Sequence, residues 1–253
     1  MKEITFDDIY TVGEVIVEND LYSHVHYPKM LKRYDSNFLE FKRMPSTEEF
    51  KSAAKYLKSF HHERGQNHVK FSFPAIMEIS GNLMGYLKHE GFDIGFMELY
   101  SIKPCEFPKK GLMKGVEVKE VKEDDFDKFI SLQYVQDLEY GKEFADQKVE
   151  LHQRQFKDPA IIQLLAYYNG EPAGAADVII NAGTAEIDGF FVLERWRRKG
   201  IGSCVQQYVM DRFHDKIIIL VADGEDTPRE MYQKQHYRYL GFQYQVLKVF
   251  EEN

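Results

Sequence analysis

Residues 185–203 join an alternating apolar segment to a cationic turn with two glycines, and an amphipathic segment follows the turn. Amides at the start of a helix lack intrahelical partners and carry partial positive charge from the helix dipole. Gly200 and Gly202 would let a bound group approach these amides closely. The segment therefore predicts a strand, a turn and a helix whose N-terminus binds a pyrophosphate.

Two common nucleotide-binding motifs do not fit this turn. A dinucleotide fingerprint needs a third glycine at position 205, which is Val205 here. A P-loop needs Gly-Lys followed by Ser or Thr, and the sequence has no such run. The pattern Arg197-x-x-Gly200-x-Gly202 instead resembles the acetyl-CoA-binding motif of the GNAT acetyltransferases.

The segments before the turn support this resemblance. Residues 161–168 and 172–180 are strand-like, and Asn169-Gly170 between them is typical of a type I′ hairpin. Residues 184–192 form a third predicted strand, and a helix is predicted from the turn to about Phe213. Three antiparallel strands thus lead the chain into the glycine turn.

The rest of the C-terminal half continues the same order. The apolar run 216–222 is typical of a buried strand, Pro228 suits the first turn of a short helix, and 237–250 predicts a closing hairpin. Upstream, 115–121 predicts a strand and 124–138 a helix with its first residue as N-cap. This order over residues 112–250 is similar to that of the GNAT fold.

The resemblance implies that the turn binds acetyl-CoA as the acyl donor, with the pyrophosphate on the amides of residues 198–203. The strand backbone before the turn would pair with the pantetheine arm, and an amide there would polarise the thioester carbonyl. The residues expected to bind this cofactor are Phe191, Val192, Arg197, Arg198, Lys199, Gly200, Ile201, Gly202 and Ser203.

Transfer to an amine requires a proton acceptor, because an alkylammonium has a pKa of about 10. Glu186, on the strand before the turn, resembles in placement the general base of the histone-acetyltransferase branch. Strand alternation places Asp188, the reserve base, and Phe190 on the same face. The structural alternative is that both carboxylates simply face solvent.

The departing thiolate needs a proton donor, and the family commonly uses a tyrosine on the short helix after the fifth strand. Tyr232 resembles that residue, since Pro228 and Met231 place it on a helix. The family tyrosine is followed after four and five positions by Gly-Phe, whereas His236 and Tyr237 stand here. Tyr237 itself precedes Gly241-Phe242 by four residues, so the register stays open between Tyr232 and Tyr237.

Composition describes an ordinary globular chain of 253 residues with a net charge of −8. This charge argues against nucleic acid as a ligand and favours cationic amines. Two cysteines, an acidic N-terminus and the lack of an apolar run of about 18 residues predict a cytoplasmic protein without a membrane segment. His24 and His26 can share a strand face, but no further ligand is evident, so no metal is expected. The sequence does not distinguish a monomer from a homodimer.

Residues 37–102 show a β-α-β-α-β succession that includes the capping box Ser46-x-x-Glu49. This half is either a degenerate GNAT-like repeat that lacks the glycine turn or an unrelated α/β cap. The expected domains are 1–110 and 111–253, joined by a linker at 103–110 that contains two prolines and three lysines. The expected fold is α/β (α+β): a mixed, mostly antiparallel GNAT-like sheet flanked by helices and preceded by a smaller α/β domain.

The expected function is acetyl-CoA-dependent N-acyl transfer to a primary amine by direct transfer in a ternary complex. The acceptor would be a small-molecule amine or a peptide amine, and the sequence does not distinguish them. The alternative is a non-catalytic acyl-CoA-binding or regulatory protein in which the turn persists without turnover.

Overall fold

The computed structural model describes residues 3–109, 111, 113–225 and 229–251. The chain divides into two compact units that are not contiguous in sequence. Unit 1 comprises Met1–Leu99, Ala222–Thr227 and Leu240–Asn253, and unit 2 comprises Tyr100–Val221 and Pro228–Tyr239. The boundary at 110/111 remains a sequence prediction. The structure adds that the C-terminal strand returns to the N-terminal unit.

Unit 1 is an α/β unit whose strands follow the order β1-β2-β3-β4-β11-β5. Its elements are β1 (Glu14–Glu18), β2 (Tyr22–His26), β3 (Phe38–Phe41), α1 (Thr47–His62), β4 (His68–Ser72), α2 (Gly81–His89), β5 (Asp93–Ile102) and β11 (Arg238–Val249). The last residues of β5 (100–102) and the first of β11 (238–239) belong to unit 2.

The core of unit 1 is aromatic and aliphatic, because α1 and α2 pack their apolar faces on β3, β4 and β11. Phe41, Phe50 and Phe71 are among its buried side chains, and Val246 of β11 joins them. The antiparallel pairing of Val246 with Phe71 explains why the C-terminal strand belongs to this unit. Ser46 and Glu49 form the predicted capping box at the start of α1.

Unit 2 holds β6 to β10 in the order β10-β9-β8-β7-β6, except that the last two residues of β10 (222–223) belong to unit 1. Its elements are β6 (Val116–Glu120), α3 (Glu123–Asp137), α4 (Lys142–Phe156), β7 (Ile161–Tyr168), β8 (Glu171–Ile180), β9 (Thr184–Val192), α5 (Ile201–Arg212), β10 (Ile217–Asp223) and α6 (Arg229–Lys234). The meander β7-β8-β9 is antiparallel, as predicted, and β10 pairs parallel to β9. Asn169 and Gly170 both have positive φ angles, as a type I′ turn requires.

Several local predictions differ from the structure. Residues 237–250 form the single strand β11 rather than a hairpin, since Gly241 lies within the strand and introduces no reversal. Asp124 lies within the first turn of α3, and Lys122 occupies the N-cap position without a side-chain hydrogen bond. The sequence analysis assigned no strand to β1. Pro228, predicted to open the short helix, lies outside the described residues.

Within the described residues, no helix has the length and apolar character to cross a membrane.

Candidate active site

The turn between β9 and α5 has the geometry of an anion-binding cradle. Gly200 is the N-cap of α5 and has a left-handed conformation with φ of 81°, which favours glycine. Within the described part of the chain, no side chain caps this helix. The first amides of α5 are therefore available to an external anion.

Space at the cradle depends on both glycines. A Cβ atom at Gly200 would lie 2.9 Å from Cγ of Met113. A Cβ atom at Gly202 would lie 3.3 Å from Cζ of Phe190. A larger side chain at either position would therefore displace a neighbour or fill the space beside the amides.

The cations of the turn do not all point the same way. The Arg197 guanidinium donates through Nε to the Val192 carbonyl oxygen at 3.3 Å, so it lies against the end of β9. Arg198 adopts a positive φ of 63°, and Arg198 and Lys199 are exposed. A cavity of about 370 Å³ opens beside the turn and is lined by Gly111, Met113, Val116, Val118, Arg198, Gly200, Ser203, Cys204, Gln207, Tyr208 and Asp211.

Strands β9 and β10 separate just before the cradle. Their parallel pairing joins residues 184–186 of β9 to residues 217–219 of β10. Strand β9 continues for six more residues, to Val192, while Phe191 and Val192 stay paired with β8. The backbone around these two residues thus borders a gap between the two strands, where the sequence analysis placed the pantetheine arm.

A β-bulge interrupts β9 beside this gap. Gly189 and Phe190 together lie opposite a single residue of β8, and Gly189 has a φ of 55°. Asp188 pairs with Asp177 before the bulge and Phe191 pairs with Ala175 after it. The prediction that Phe190 shares the face of Glu186 and Asp188 is therefore wrong. The bulge gives that place to Phe191 and turns the Phe190 ring toward Gly202.

The two candidate bases differ in exposure. Glu186 and Asp188 share the sheet face that packs on α3, since Ala175 and Phe191 on this face contact the core around Phe129. Glu186 is 3% exposed, whereas Asp188 is half-buried. Glu186 is therefore not a solvent-facing residue of the strand, which removes that alternative for it.

The two candidate acids lie side by side. Tyr232 on α6 and Tyr237 just after it are both buried, with ring centroids 5.3 Å apart. Burial raises the pKa of Tyr232 to about 12 and also raises the pKa of Tyr237 above its ordinary value. Both phenols therefore keep their protons at neutral pH. The Tyr237 hydroxyl has no hydrogen-bond partner among the described residues.

The end of α6 clarifies the register of this segment. His236 has a φ of 66°, its amide donates to the Gln233 carbonyl, and the Tyr237 amide donates to the Tyr232 carbonyl at 2.9 Å. These bonds form a Schellman motif, in which the left-handed position is usually glycine. His236 thus occupies the place of the glycine in Tyr-x-x-x-Gly-Phe, which aligns Tyr232 with the tyrosine of that pattern. The His236 ring is held by the Glu106 carbonyl at 3.0 Å from Nδ1.

Sequence reasoning missed two glycines that shape the site. A Cβ atom at Gly174 of β8 would lie 2.5 Å from the Phe191 carbonyl oxygen, so this glycine permits the close approach of β8 to β9. Gly189 forms the bulge. Isolated glycines inside strand patterns were the available signal for both positions.

No cluster of three metal-ligating side chains is present among the described residues. For acetyl-CoA the fit rests on the uncapped start of α5 and on the gap beyond Glu186.

Two family models match parts of the chain. Residues 4–100 match a domain of unknown function (DUF5613), and residues 127–237 match the acetyltransferase (GNAT) family. No curated protein matches the sequence.

Solved structures resemble the whole chain. A functionally unknown conserved protein from Staphylococcus epidermidis is 33% identical, with 98% of this chain and 99% of that chain covered and a TM-score of 0.90. A GCN5-related N-acetyltransferase from Sphaerobacter thermophilus is 15% identical over 92% of this chain and 77% of its own, with a TM-score of 0.65. A GCN5-related N-acetyltransferase from Kribbella flavida is 14% identical over 93% of this chain and 89% of its own, with a TM-score of 0.60.

The latter two show a shared fold, which extends into the N-terminal half because each covers more than nine-tenths of this chain. The Staphylococcus protein shows a relative of the same length and architecture. The chain therefore contains a domain of the GNAT acetyltransferase family at residues 127–237.

Proposed function

We propose that unit 2 is an acetyl-CoA-dependent N-acetyltransferase that moves an acetyl group directly to a primary amine in a ternary complex. The observation that carries this proposal is the uncapped, glycine-initiated start of α5 beside the gap between β9 and β10. Backbone amides of residues 198–203 hold the pyrophosphate, and the backbone at Phe191 and Val192 orients the pantetheine arm. Acetyl-CoA supplies the activated acetyl group.

Proton transfer is assigned to two side chains. Glu186 accepts the proton of the attacking amine, directly or through water, and Asp188 is the reserve acceptor on the same face. Tyr232, which is protonated at neutral pH, donates its phenolic proton toward the departing sulfur. The Schellman alignment at His236 supports Tyr232 over Tyr237 for this role.

The acceptor is proposed to be a cationic amine, either a small molecule or a peptide amine. The net charge of −8 and the carboxylates of Asp177, Glu186 and Asp188 on one sheet face favour such an acceptor. An ammonium is attracted there and must lose its proton before attack, which the same carboxylates assist.

The direct test incubates the full chain with acetyl-CoA and a panel of polyamines, aminoglycosides and peptides with free N-termini. Released CoA thiol and the acetylated product are both measured. We expect amine-dependent thiol release with a matching product mass. If acetyl-CoA binds and no amine supports turnover, the protein is instead a non-catalytic acyl-CoA-binding protein.

A further inference from the structure

Four imidazoles meet in the interior of unit 1. His24 and His26 come from β2, His61 from α1 and His68 from β4, and none is more than 7% exposed. The ring centroids of His24 and His61 lie 6.3 Å apart, and those of His61 and His68 lie 4.6 Å apart. These four residues are called the histidine cluster.

Three of the four rings are hydrogen-bonded through one nitrogen, and each of the four has a buried nitrogen without a hydrogen-bond partner among the described residues. Nδ1 of His24 lies 3.0 Å from the Tyr56 hydroxyl, Nδ1 of His61 donates to the His68 carbonyl at 2.6 Å, and Nε2 of His68 donates to the Asn37 carbonyl at 3.3 Å. The buried nitrogens with no partner in the described part of the chain are His24 Nε2, His26 Nδ1, His61 Nε2 and His68 Nδ1. A neutral imidazole tolerates a bare acceptor nitrogen, but an imidazolium must donate from both nitrogens.

The charged side chains that act on the cluster are cations, and they disfavour protonation of the imidazoles. Arg64 of the α1 C-terminus stacks over Phe60, 3.6 Å from its centroid, and acts on His24, His26 and His61. Lys32 and Lys70 act on His68, and Lys70 is paired with Asp35.

The nearest carboxylate of β3 is directed elsewhere. Glu40 pairs with Ser23 and therefore lies on the sheet face opposite His24. The Tyr56 phenol, also titratable, has its pKa raised by burial and stays neutral.

Burial lowers the pKa of His24 and of His61 to about 4 and that of His68 to about 3, and it also lowers that of His26. In an unfolded chain a histidine has a pKa of about 6.5. Below that pH the unfolded state binds more protons than the folded state, so stability falls as the pH falls from about 6.5 toward about 4. The stability that the neutral imidazoles contribute is fully present above about pH 6.5.

We propose that the histidine cluster is an acid-sensitive switch that opens unit 1 at mildly acidic pH while unit 2 stays folded. Among the described residues, unit 2 has one buried histidine, His152, against four in unit 1, and its Nε2 lies 3.7 Å from an Asp137 carboxylate oxygen. The cations that act on the cluster in unit 1 are Arg64, which is paired with Glu63 at 3.6 Å, and the two lysines named above.

Separate signals report on the folding of the two units. Its one tryptophan, Trp196, lies in unit 2 and packs on Tyr168 with ring centroids 5.0 Å apart. Tryptophan fluorescence therefore reports on unit 2, whereas hydrogen exchange at residues 14–99 reports on unit 1.

The experiment measures urea unfolding of the full chain by both signals between pH 7 and pH 5, above the range in which most carboxylates titrate. Each imidazole that is protonated only on unfolding raises the unfolding equilibrium constant about tenfold per pH unit. We expect at least about a hundredfold rise for unit 1 from pH 6 to pH 5, with the Trp196 transition nearly unchanged. An equal shift of both transitions, or no shift in unit 1, would overturn the proposal.

Variants then test the cluster itself. His61→Asn and His68→Gln keep a donor near the position of the bonded ring nitrogen and remove the titrating group. The unfolding equilibrium constant of unit 1 should then rise about tenfold less per pH unit in each variant than in the unaltered protein. His89→Gln, at a side chain that is 85% exposed, is the matched control and should leave the dependence unchanged. A dependence that persists in the cluster variants assigns the effect to other groups and contradicts the switch.

Discussion

At the scale of single residues, the candidate site depends on backbone conformations that few residue types adopt easily. Gly200 begins α5 in a left-handed conformation, and Gly189 opens the bulge in β9 in another. His236 adopts the same region without being glycine, and its contact with the Glu106 carbonyl helps to hold it there. These positions fix where the amides, the carboxylates and the phenols can lie.

Replacing Tyr232 with Phe keeps the ring packing against Tyr100 and removes the proton that the phenol can donate. We expect turnover to fall roughly 10–1000-fold with nearly unchanged acetyl-CoA affinity. Steady-state kinetics with calorimetry for acetyl-CoA binding measures both quantities.

Tyr237→Phe is the matched control, because the Tyr237 hydroxyl is buried without a hydrogen-bond partner in the described residues. It should affect turnover little. The opposite pattern, with Tyr237 essential and Tyr232 silent, would mean that the acid is Tyr237 and that the Schellman register does not identify it.

The Glu186→Gln change retains the shape of the side chain and removes the proton acceptor. The loss of activity should be largest near neutral pH and smaller at high pH, where more of the amine is already deprotonated. A pH profile of kcat/KM for both proteins, with Asp188→Asn alongside, makes the measurement. A uniform loss at every pH would assign Glu186 a structural role.

At the scale of elements, the site is a product of how β8, β9 and β10 pair. Strand β9 is shared between antiparallel β8 and parallel β10, and its partnership with β10 ends at residue 186. The close approach of β8 at Gly174 holds the end of β9 in place. The position of β9 at the edge of the gap is therefore fixed.

Gly174→Ala should disturb that arrangement, because the new Cβ atom would lie 2.5 Å from a backbone oxygen that cannot move aside freely. We expect a loss of about 1–3 kcal/mol of unfolding free energy, typical of overpacking, and weaker acetyl-CoA binding. Urea unfolding followed by Trp196 fluorescence checks the first and calorimetry the second. The control Gly183→Ala adds a methyl group with nothing within 4 Å and should be silent. Equal stability of the two variants would argue against a role for the close approach.

The strands around the site were predictable because their signals are local. Alternation and the Asn169-Gly170 turn placed β7 and β9 at their observed bounds. The bulge in β9 was not predicted, since it arises from register with β8, which strand alternation alone does not contain. The single strand β11 was missed for the same kind of reason. Its pairing with β4 joins segments that are far apart in sequence.

At the scale of the whole molecule, two helices with similar positions in their β-α-β successions begin in opposite ways. Helix α1 of unit 1 is capped by Ser46, whose hydroxyl accepts from the Glu49 amide, while the Glu49 carboxylate accepts from the Ser46 amide. Helix α5 of unit 2 begins at Gly200 with no side-chain cap among the described residues. A phosphate could occupy the start of α5, whereas the start of α1 is already filled by the chain itself. This difference predicts one CoA site per chain.

Calorimetric titration of the full chain with acetyl-CoA tests this account most directly, with Gly202→Asp and Gly202→Ala compared to the unaltered protein. The aspartate places a carboxylate among the first amides of α5, and the alanine adds only a methyl group near Phe190. We expect one site per chain and at least a tenfold weaker affinity for the aspartate variant, about 1.4 kcal/mol, with a smaller loss for alanine. Unchanged affinity in a folded Gly202→Asp protein, or two sites per chain, would contradict the assignment of the cradle.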